Sequence, residues 1–139
     1  MKFNALIALV LLCFSSVVSA NDNTGIVLTS YDQPKSNLAV AFQDEAFKLR
    51  GISSRKLLML EVYQDFEFDK VDLSEYDSIL LVGEPVNVEV AMMELLGFGI
   101  SANAVILDNI HGDLVVKKRA RIDFEPDIMF ANRLLNMIL

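Results

Sequence analysis

Residues 78–83, Ser-Ile-Leu-Leu-Val-Gly, form the clearest predicted strand in the chain and decide its fold class. Their apolar side chains follow one another without polar alternation, which predicts a strand that is buried on both faces. The same pattern occurs at residues 57–60 (Leu-Leu-Met-Leu) and 104–107 (Ala-Val-Ile-Leu). Such strands are typical of a parallel sheet that helices cover, so we expect an α/β protein.

Three helices are predicted between and after these strands. Ser36 can cap the first helix, and Gly51 is placed where a left-handed residue would end it. Pro85 suits the first turn of the second helix, which Gly97 ends, and Pro126 opens the last helix. Because the second helix is apolar around its whole circumference, we predict that it is buried on more than one side. The apolar residues outside its main stripe are Val86, Val90, Met93 and Leu96.

The order of these elements predicts the architecture. Strands are expected at 25–30, 55–63, 78–83, 104–108, 114–116 and 120–124. The last two are predicted to form a hairpin that turns through residues 117–119. With right-handed crossovers, the order predicts a three-layer α/β sandwich with a mainly parallel central sheet, followed by this C-terminal hairpin and a helix.

Residues 1–20 have the pattern of a secretory signal peptide. Lys2 gives a positive start, residues 5–14 form an apolar run, and Val18-Ser-Ala20 supplies the small residues of a cleavage site. The apolar run is too short to span a bilayer, so we expect an exported, periplasmic protein that does not span the membrane. The remaining residues, 21–139, are predicted to form a single α/β domain.

Composition excludes some classes of function. Removing residues 1–20 takes away one lysine and no acid, so the net charge of −7 becomes −8. We therefore expect no binding to nucleic acid, which needs a basic surface. The single cysteine, Cys13, lies in the signal peptide, which rules out disulfides and thiol chemistry in the mature chain. A lipoprotein acylated on Cys13 is the alternative, although Leu12 stands where a small residue is expected.

Polar residues follow the ends of several predicted strands. Because ligands of parallel sheets bind outside the carboxyl ends of the strands, we expect a crevice for a small molecule there. The candidate ligand-binding residues are Tyr31, Asp32, Glu84, Asp108 and Asn109. The simpler alternative is that they are turn and cap residues. An enzyme that uses Asp32 and Asp108 as paired carboxylates is a third interpretation.

The sequence contains no strong catalytic or metal-binding motif. The only histidine, His111, is expected in a turn, and no Gly-x-Ser-x-Gly elbow is present. We expect no metal site, because zinc needs three or four suitable ligands at characteristic spacing. Asp65-x-Glu67-x-Asp69 lacks the glycine and the final glutamate of a calcium loop. Since Phe66 and Phe68 alternate with these acids, we predict an edge strand at this position.

Two features near the C-terminus are candidates for binding a partner protein. Four basic residues gather at the predicted hairpin, against the overall charge: Lys117, Lys118, Arg119 and Arg121. Such a tip could dock an acidic surface, or it could keep a sheet edge from pairing with other chains. Next to it we expect an exposed apolar patch on the last helix, with Phe130 and Met137 as the residues to substitute. Met129 and Leu139 are the other members of this patch.

The order of the elements and the C-terminal part of the chain resemble the YfiR/HmsC-like family of exported bacterial proteins. Residues 77–83, Asp-Ser-Ile-Leu-Leu-Val-Gly, are similar to that family's "D-x-I-L-L-V-G" strand. Residues 121–125, Arg-Ile-Asp-Phe-Glu, resemble its "R-x-x-F-E" stretch, and residues 131–135, Ala-Asn-Arg-Leu-Leu, resemble the start of its last helix. The chain lacks the family's additional N-terminal helix and has Pro126-Asp127 where the family has an asparagine.

The resemblance implies a non-enzymatic periplasmic regulator that needs no cofactor. Proteins of this kind bind the sensor domain of an inner-membrane diguanylate cyclase and thereby lower cyclic-di-GMP output and biofilm formation. We therefore expect a membrane sensor protein as the partner, and a homodimer remains open. The alternative function is a periplasmic small-molecule binding or sensing domain that uses the crevice at the strand ends.

Overall fold

The computed structural model describes residues 26–49 and 55–138. The predicted signal peptide at 1–20, the start of the first strand at Gly25 and the expected helix end at Gly51 lie outside the described residues. Within these two ranges, no helix is both long enough and apolar enough to cross a membrane.

Five strands and three α-helices make up the described part of the chain. The strands are β1 (Val27–Ser30), β2 (Lys56–Glu61), β3 (Ser78–Val82), β4 (Ala104–Ile110) and β5 (Asp113–Ala120). The helices are α1 (Asn37–Lys48), α2 (Pro85–Leu96) and α3 (Asp127–Asn136), and a short 3-10 helix spans Phe68–Lys70.

The starts of α1 and α2 and the end of α2 confirm the signals in the sequence. The Ser36 hydroxyl accepts a hydrogen bond from the backbone N–H of Ala39 at 3.1 Å, which satisfies a donor in the first turn of α1. Pro85 occupies the first turn of α2, and Gly97 ends it with a φ of 81°. Glycine adopts this left-handed backbone without the strain that a Cβ would cause, so the helix stops there.

The five strands form one mixed sheet in the order β1-β2-β3-β4-β5. β1, β2 and β3 run parallel, whereas β4 is antiparallel to both β3 and β5. The protein is therefore α/β, but the predicted mainly parallel sheet and the predicted three-layer sandwich are not confirmed. β4 is antiparallel to β3 because of the way in which the connection through α2 returns to the sheet. The N–H of Gly83 donates to the carbonyl of Asn103 at 3.0 Å, so the chain re-enters the sheet at the end where β3 leaves it.

Side chains of the central strands alternate between two hydrophobic clusters on opposite faces of the sheet. Leu57 belongs to the cluster that α1 and α3 cover, and Leu58 belongs to the cluster that α2 covers. In the first cluster, the rings of Phe42 and Phe130 pack edge-to-face with centroids 6.0 Å apart. This contact joins α1 to α3 on the face of the sheet that both helices cover.

The connection between β2 and β3 covers the same face as α2. Phe66 and Phe68 pack against the α2 cluster, and the segment folds through a turn and the 3-10 helix. The predicted edge strand at 65–69 is therefore wrong. Asp65 has a φ of 69°, which interrupts the extended backbone that an alternating strand requires.

β4 and β5 form the C-terminal hairpin, with His111 and Gly112 in its turn. Their φ angles of 54° and 92° match a two-residue turn of the primed type, so the predicted turn position of His111 is confirmed. Residues 117–119 are not the turn, contrary to the prediction. They lie inside β5, where a register shift between Ile106 and Leu107 of β4 marks a bulge. The basic residues therefore follow an edge strand instead of gathering at a tip.

Candidate functional site

The mixed sheet separates the predicted crevice residues. β1, β2 and β3 end on the same side of the sheet, where Tyr31, Asp32 and Glu84 follow them. β4 runs the other way, so Asp108 and Asn109 lie at the opposite end of the strands. About five strand residues at roughly 3.3 Å each separate the two ends. The five residues do not form one crevice, and Asp32 cannot act with Asp108 as a carboxylate pair.

Asp108 and Asn109 have partners at their own end of the sheet. Asp108 accepts hydrogen bonds from the Arg55 guanidinium at 2.9 Å and from the Ser78 hydroxyl at 3.1 Å. The Asn109 side-chain amide donates to the carbonyl of Tyr76 at 3.1 Å. These contacts tie the end of β4 to β3 and to the segments that precede β2 and β3.

A cleft of about 270 Å³ opens at the carboxyl ends of β1 and β2. We call it the β1–β2 cleft. Tyr31 and Asp32 line it, in the position that the sequence predicted, and Glu84 lies outside it. The other lining residues that matter below are Ser30, Lys35, Glu61, Tyr63, Asp65 and Phe66.

Glu61, the last residue of β2, holds the start of α1 against the cleft. Its carboxylate accepts hydrogen bonds from the backbone N–H of Lys35 at 3.0 Å and from that of Ser36 at 3.0 Å. Because these N–H groups lie at the positive end of the α1 dipole, a carboxylate is favourable there. Glu61 therefore positions the loop that carries Tyr31 and Asp32.

Tyr63 stands beside Glu61 and donates its hydroxyl proton to the Glu61 carboxylate. Burial raises the pKa of Tyr63 above its ordinary value, and the hydrogen bond and the negative charges of Glu61 and Asp32 raise it further. The phenol thus remains neutral and is held in place. The ammonium group of Lys35 lies 5.5 Å from the centre of the Tyr63 ring, so this ring already attracts one cation.

An aromatic wall closes the other side of the cleft. The rings of Tyr31 and Phe66 pack edge-to-face at 6.0 Å, and Phe66 packs against Phe68 at 4.8 Å. At the rim, the Lys70 ammonium pairs with the Glu67 carboxylate at 2.6 Å, and this hydrogen bond raises the pKa of Lys70. The cleft therefore combines rigid aromatic surface with a paired charge at its mouth.

Glu61, Tyr63 and Phe66 were missed as site residues in the sequence. The signal that could have found Glu61 and Tyr63 is the one that identified Tyr31 and Asp32, because both pairs lie at the end of a parallel strand. Phe66 carries no such signal. Its position depends on the turn at Asp65, which an alternating pattern does not reveal.

A second surface feature lies on α2, whose outer face is apolar and uncovered in the described part of the chain. We call Val86, Val90 and Met93 of α2, together with Phe98 just after the helix, the α2 stripe, and they are between 50% and 63% exposed. The prediction that this helix is buried on more than one side is therefore wrong. Only the opposite face, with Val88, Ala91 and Met92, packs on the sheet. Exposed apolar side chains that share one helix face are characteristic of protein contact sites.

Of the residues predicted to bind a partner, Lys118, Arg119 and Arg121 line one surface cleft. Phe130 is fully buried in the α1–α3 cluster, so the expectation that it belongs to an exposed patch is wrong. Met137 is 44% exposed at the end of α3. On β5, Lys117 and Arg119 are exposed and Lys118 between them is half-buried. The Arg121 guanidinium donates to the carbonyl of Ser101 at 3.2 Å.

Comparisons with known proteins do not show a family. A scan of family models, a search of curated proteins and a search of solved structures each found no match. Within residues 26–49 and 55–138, no group of three His, Cys, Asp or Glu side chains is arranged to hold a metal ion. Among the described residues, the β1–β2 cleft and the α2 stripe are the two surface features that we develop into proposals.

Proposed function

We propose that the chain is a periplasmic, non-enzymatic regulatory protein that binds the sensor domain of an inner-membrane receptor. By the resemblance to YfiR/HmsC-like proteins, this receptor is a diguanylate cyclase whose cyclic-di-GMP output, and with it biofilm formation, the protein modulates. The predicted signal peptide at 1–20 supports the location. The motif-like stretches at 77–83 and 121–125 support the class.

The observation that carries the proposal is the α2 stripe. A helix that presents an apolar stripe at i, i+4 and i+7 spacing on its outer face needs a partner to bury it, because exposed apolar surface of this kind is costly in water. Glu89 and Glu94 flank the stripe on its two sides, and the chain has no lysine or arginine between Lys70 and Lys117. The complementary surface is therefore apolar with a basic border.

The same charges disfavour a homodimer through α2. In a two-fold pair of α2 helices, Glu89 and Glu94 of one copy would lie against those of the other, and like charges repel. A receptor sensor domain with basic residues around an apolar groove avoids this repulsion. Helix-in-groove docking, with anchors at helical spacing, is a recurrent mode of recognition that fits the stripe.

The experiment uses the tagged protein expressed in its own host with a photo-crosslinking residue at position 86 of the α2 stripe. We expect cross-linking to a membrane sensor protein, and we expect deletion of the gene to raise cyclic-di-GMP. The double variant Val90→Glu/Met93→Glu should lose both the cross-link and the ability to complement the deletion. Val115→Glu/Met129→Glu is the matched control, because those two side chains are similarly exposed but lie on β5 and α3.

The two double variants separate binding from folding. Both should keep the thermal unfolding midpoint of the wild type within a few degrees, since all four side chains are about half exposed. Full complementation by the α2 variant would contradict the proposal. Equal loss in both variants would contradict the choice of α2 as the docking surface.

The β1–β2 cleft favours a second candidate function, a small-molecule binding or sensing domain. The cleft lies where open α/β sheets bind ligands, outside the carboxyl ends of parallel strands. Binding of any ligand to the folded state alone would raise the unfolding temperature, so a thermal-shift screen tests this candidate separately from the α2 variants.

A further inference from the structure

The lining of the β1–β2 cleft has an excess of negative charge next to aromatic rings. Asp32, Glu61 and Asp65 contribute carboxylates, and Tyr31, Tyr63 and Phe66 contribute rings. The two lysines of the lining are already engaged inside the chain, Lys35 with the Tyr63 ring and Lys70 with Glu67. The carboxylates would repel an anion that entered the cleft. A cation would be attracted both by the carboxylates and by the faces of the aromatic rings.

The wall also holds a hydroxyl group that lacks a hydrogen-bond partner within the described part of the chain. The Ser30 hydroxyl oxygen lies at the end of β1, is buried, and has no hydrogen-bond partner in the described residues. Burial of an unsatisfied polar atom costs free energy, which a ligand with an N–H group can recover. Among cations, a quaternary ammonium ion has no N–H group to donate to this hydroxyl oxygen, whereas a primary ammonium ion has three.

We propose that the β1–β2 cleft binds a small primary ammonium ion, with Asp32 and Asp65 opposite its charge and Tyr31 and Phe66 against its carbon chain. This inference rests on the second candidate function and adds the chemical class of the ligand. It is independent of docking at the α2 stripe. The pairing of Lys35 with the Tyr63 ring serves as an internal example of the same chemistry, because an ammonium group of the chain already occupies an aromatic face of this cleft.

The test compares putrescine with 1,4-butanediol, which has the same carbon chain and two hydroxyl groups in place of the ammonium groups. Binding to the purified mature protein is followed by NMR titration at low salt, because screening by ions weakens the attraction. Putrescine should shift the resonances of the cleft residues to saturation, and butanediol should leave them in place. Raised salt should weaken putrescine binding.

Two variants locate the site. Asp32→Asn should weaken putrescine binding about fivefold, as expected for loss of one partly exposed ion pair. Tyr31→Leu should weaken it about two- to fivefold through loss of the aromatic contact. Asp44→Asn on α1 removes the same charge from an exposed position outside the cleft and should leave binding unchanged.

Three results would overturn the inference. Equal binding of butanediol would exclude a cation as the ligand class while retaining the cleft as a small-molecule site. Equal weakening by Asp44→Asn would show a diffuse effect of net charge. No saturable binding of putrescine to the wild type would exclude the site for this class, and none of these results would bear on the α2 stripe.

Discussion

Replacement of Phe130 by alanine tests whether α3 belongs to the core or to a docking surface. The Phe130 ring is fully buried, packs on Phe42 at 6.0 Å and lies 5.3 Å from the Arg133 guanidinium. Truncating a buried phenylalanine to alanine costs about 3–5 kcal/mol, because transfer free energy is lost and a cavity remains. A domain of this size has a total stability of about 5–15 kcal/mol, so the change removes a large share of it.

The expected loss appears as a shift of at least about 12 °C in the unfolding midpoint, at roughly 4 °C or more for each kcal/mol. Urea unfolding followed by circular dichroism gives the free energy directly, and the slope should remain that of the wild type. Met137→Ala is the control on the same end of the chain. Because Met137 is 44% exposed, its truncation should cost less than about 1 kcal/mol.

A double-mutant cycle with Phe42 isolates the ring–ring contact. The coupling between Phe42→Ala and Phe130→Ala should be about 0.5–1.5 kcal/mol. A Phe130→Ala protein that unfolds within about 1 kcal/mol of the wild type would refute the core assignment. Loss of partner binding at unchanged stability would restore Phe130 as a surface contact.

Three further changes test other parts of the fold. Alanine at Gly83 would place a Cβ 2.8 Å from the backbone oxygen of Val62, so Gly83→Ala should lose about 1–3 kcal/mol in urea unfolding. Gly99→Ala, whose Cβ would meet only the movable side chain of Glu89, should lose much less, and equal losses would contradict the steric reason. The Asn132 amide and the Lys48 ammonium hydrogen-bond the Glu45 carboxylate and hold its pKa below the ordinary value of glutamate. Its contribution to stability is therefore complete above the ordinary pKa of glutamate and is lost as the pH falls through the lowered pKa, so the advantage of wild type over Glu45→Gln should shrink as the pH is lowered below that ordinary value. A constant difference would argue against that carboxylate as the source. Glu61→Gln should lower the free energy of unfolding by about 1–2 kcal/mol, because the charged acceptor of two backbone N–H groups becomes neutral, and an unchanged urea midpoint would contradict this role.

Local signals in the sequence predicted most elements of the fold. Ser36, Pro85 and Gly97 mark helix boundaries because capping and backbone freedom are properties of single residues. Strand direction is not a local property. Central strands of a mixed sheet are buried on both faces just as parallel strands are, so the apolar run of β4 is the same in either direction.

The candidate site was predicted only where the direction of the strand was predicted correctly. Tyr31 and Asp32 follow a parallel strand and line the cleft, whereas Asp108 and Asn109 follow an antiparallel strand and lie away from it. The basic residues 117–119 were predicted to form a turn because three consecutive charged residues are unusual in a central strand. A bulged edge strand such as β5 tolerates them. The pattern of the sequence alone does not separate these two cases.

The order of the strands in the sheet, which equals their order in the chain, has a consequence for folding kinetics. No strand has to insert between two others. The connection from β3 to β4 contains only α2 and returns to the point where it left the sheet, and β4 is joined to β5 by a two-residue turn. Contacts that are near in sequence form fastest, because little loop-closure entropy is lost. Residues 78–120 are therefore expected to form the folding nucleus. Mutations in β3 and β4 should give kinetic φ-values of about 0.5–0.8, which are typical of a nucleus. β1 is an edge strand whose only partner, β2, lies beyond the α1 connection, whereas β5 follows its partner β4 after a two-residue turn, so β1 should join last and open first in hydrogen exchange.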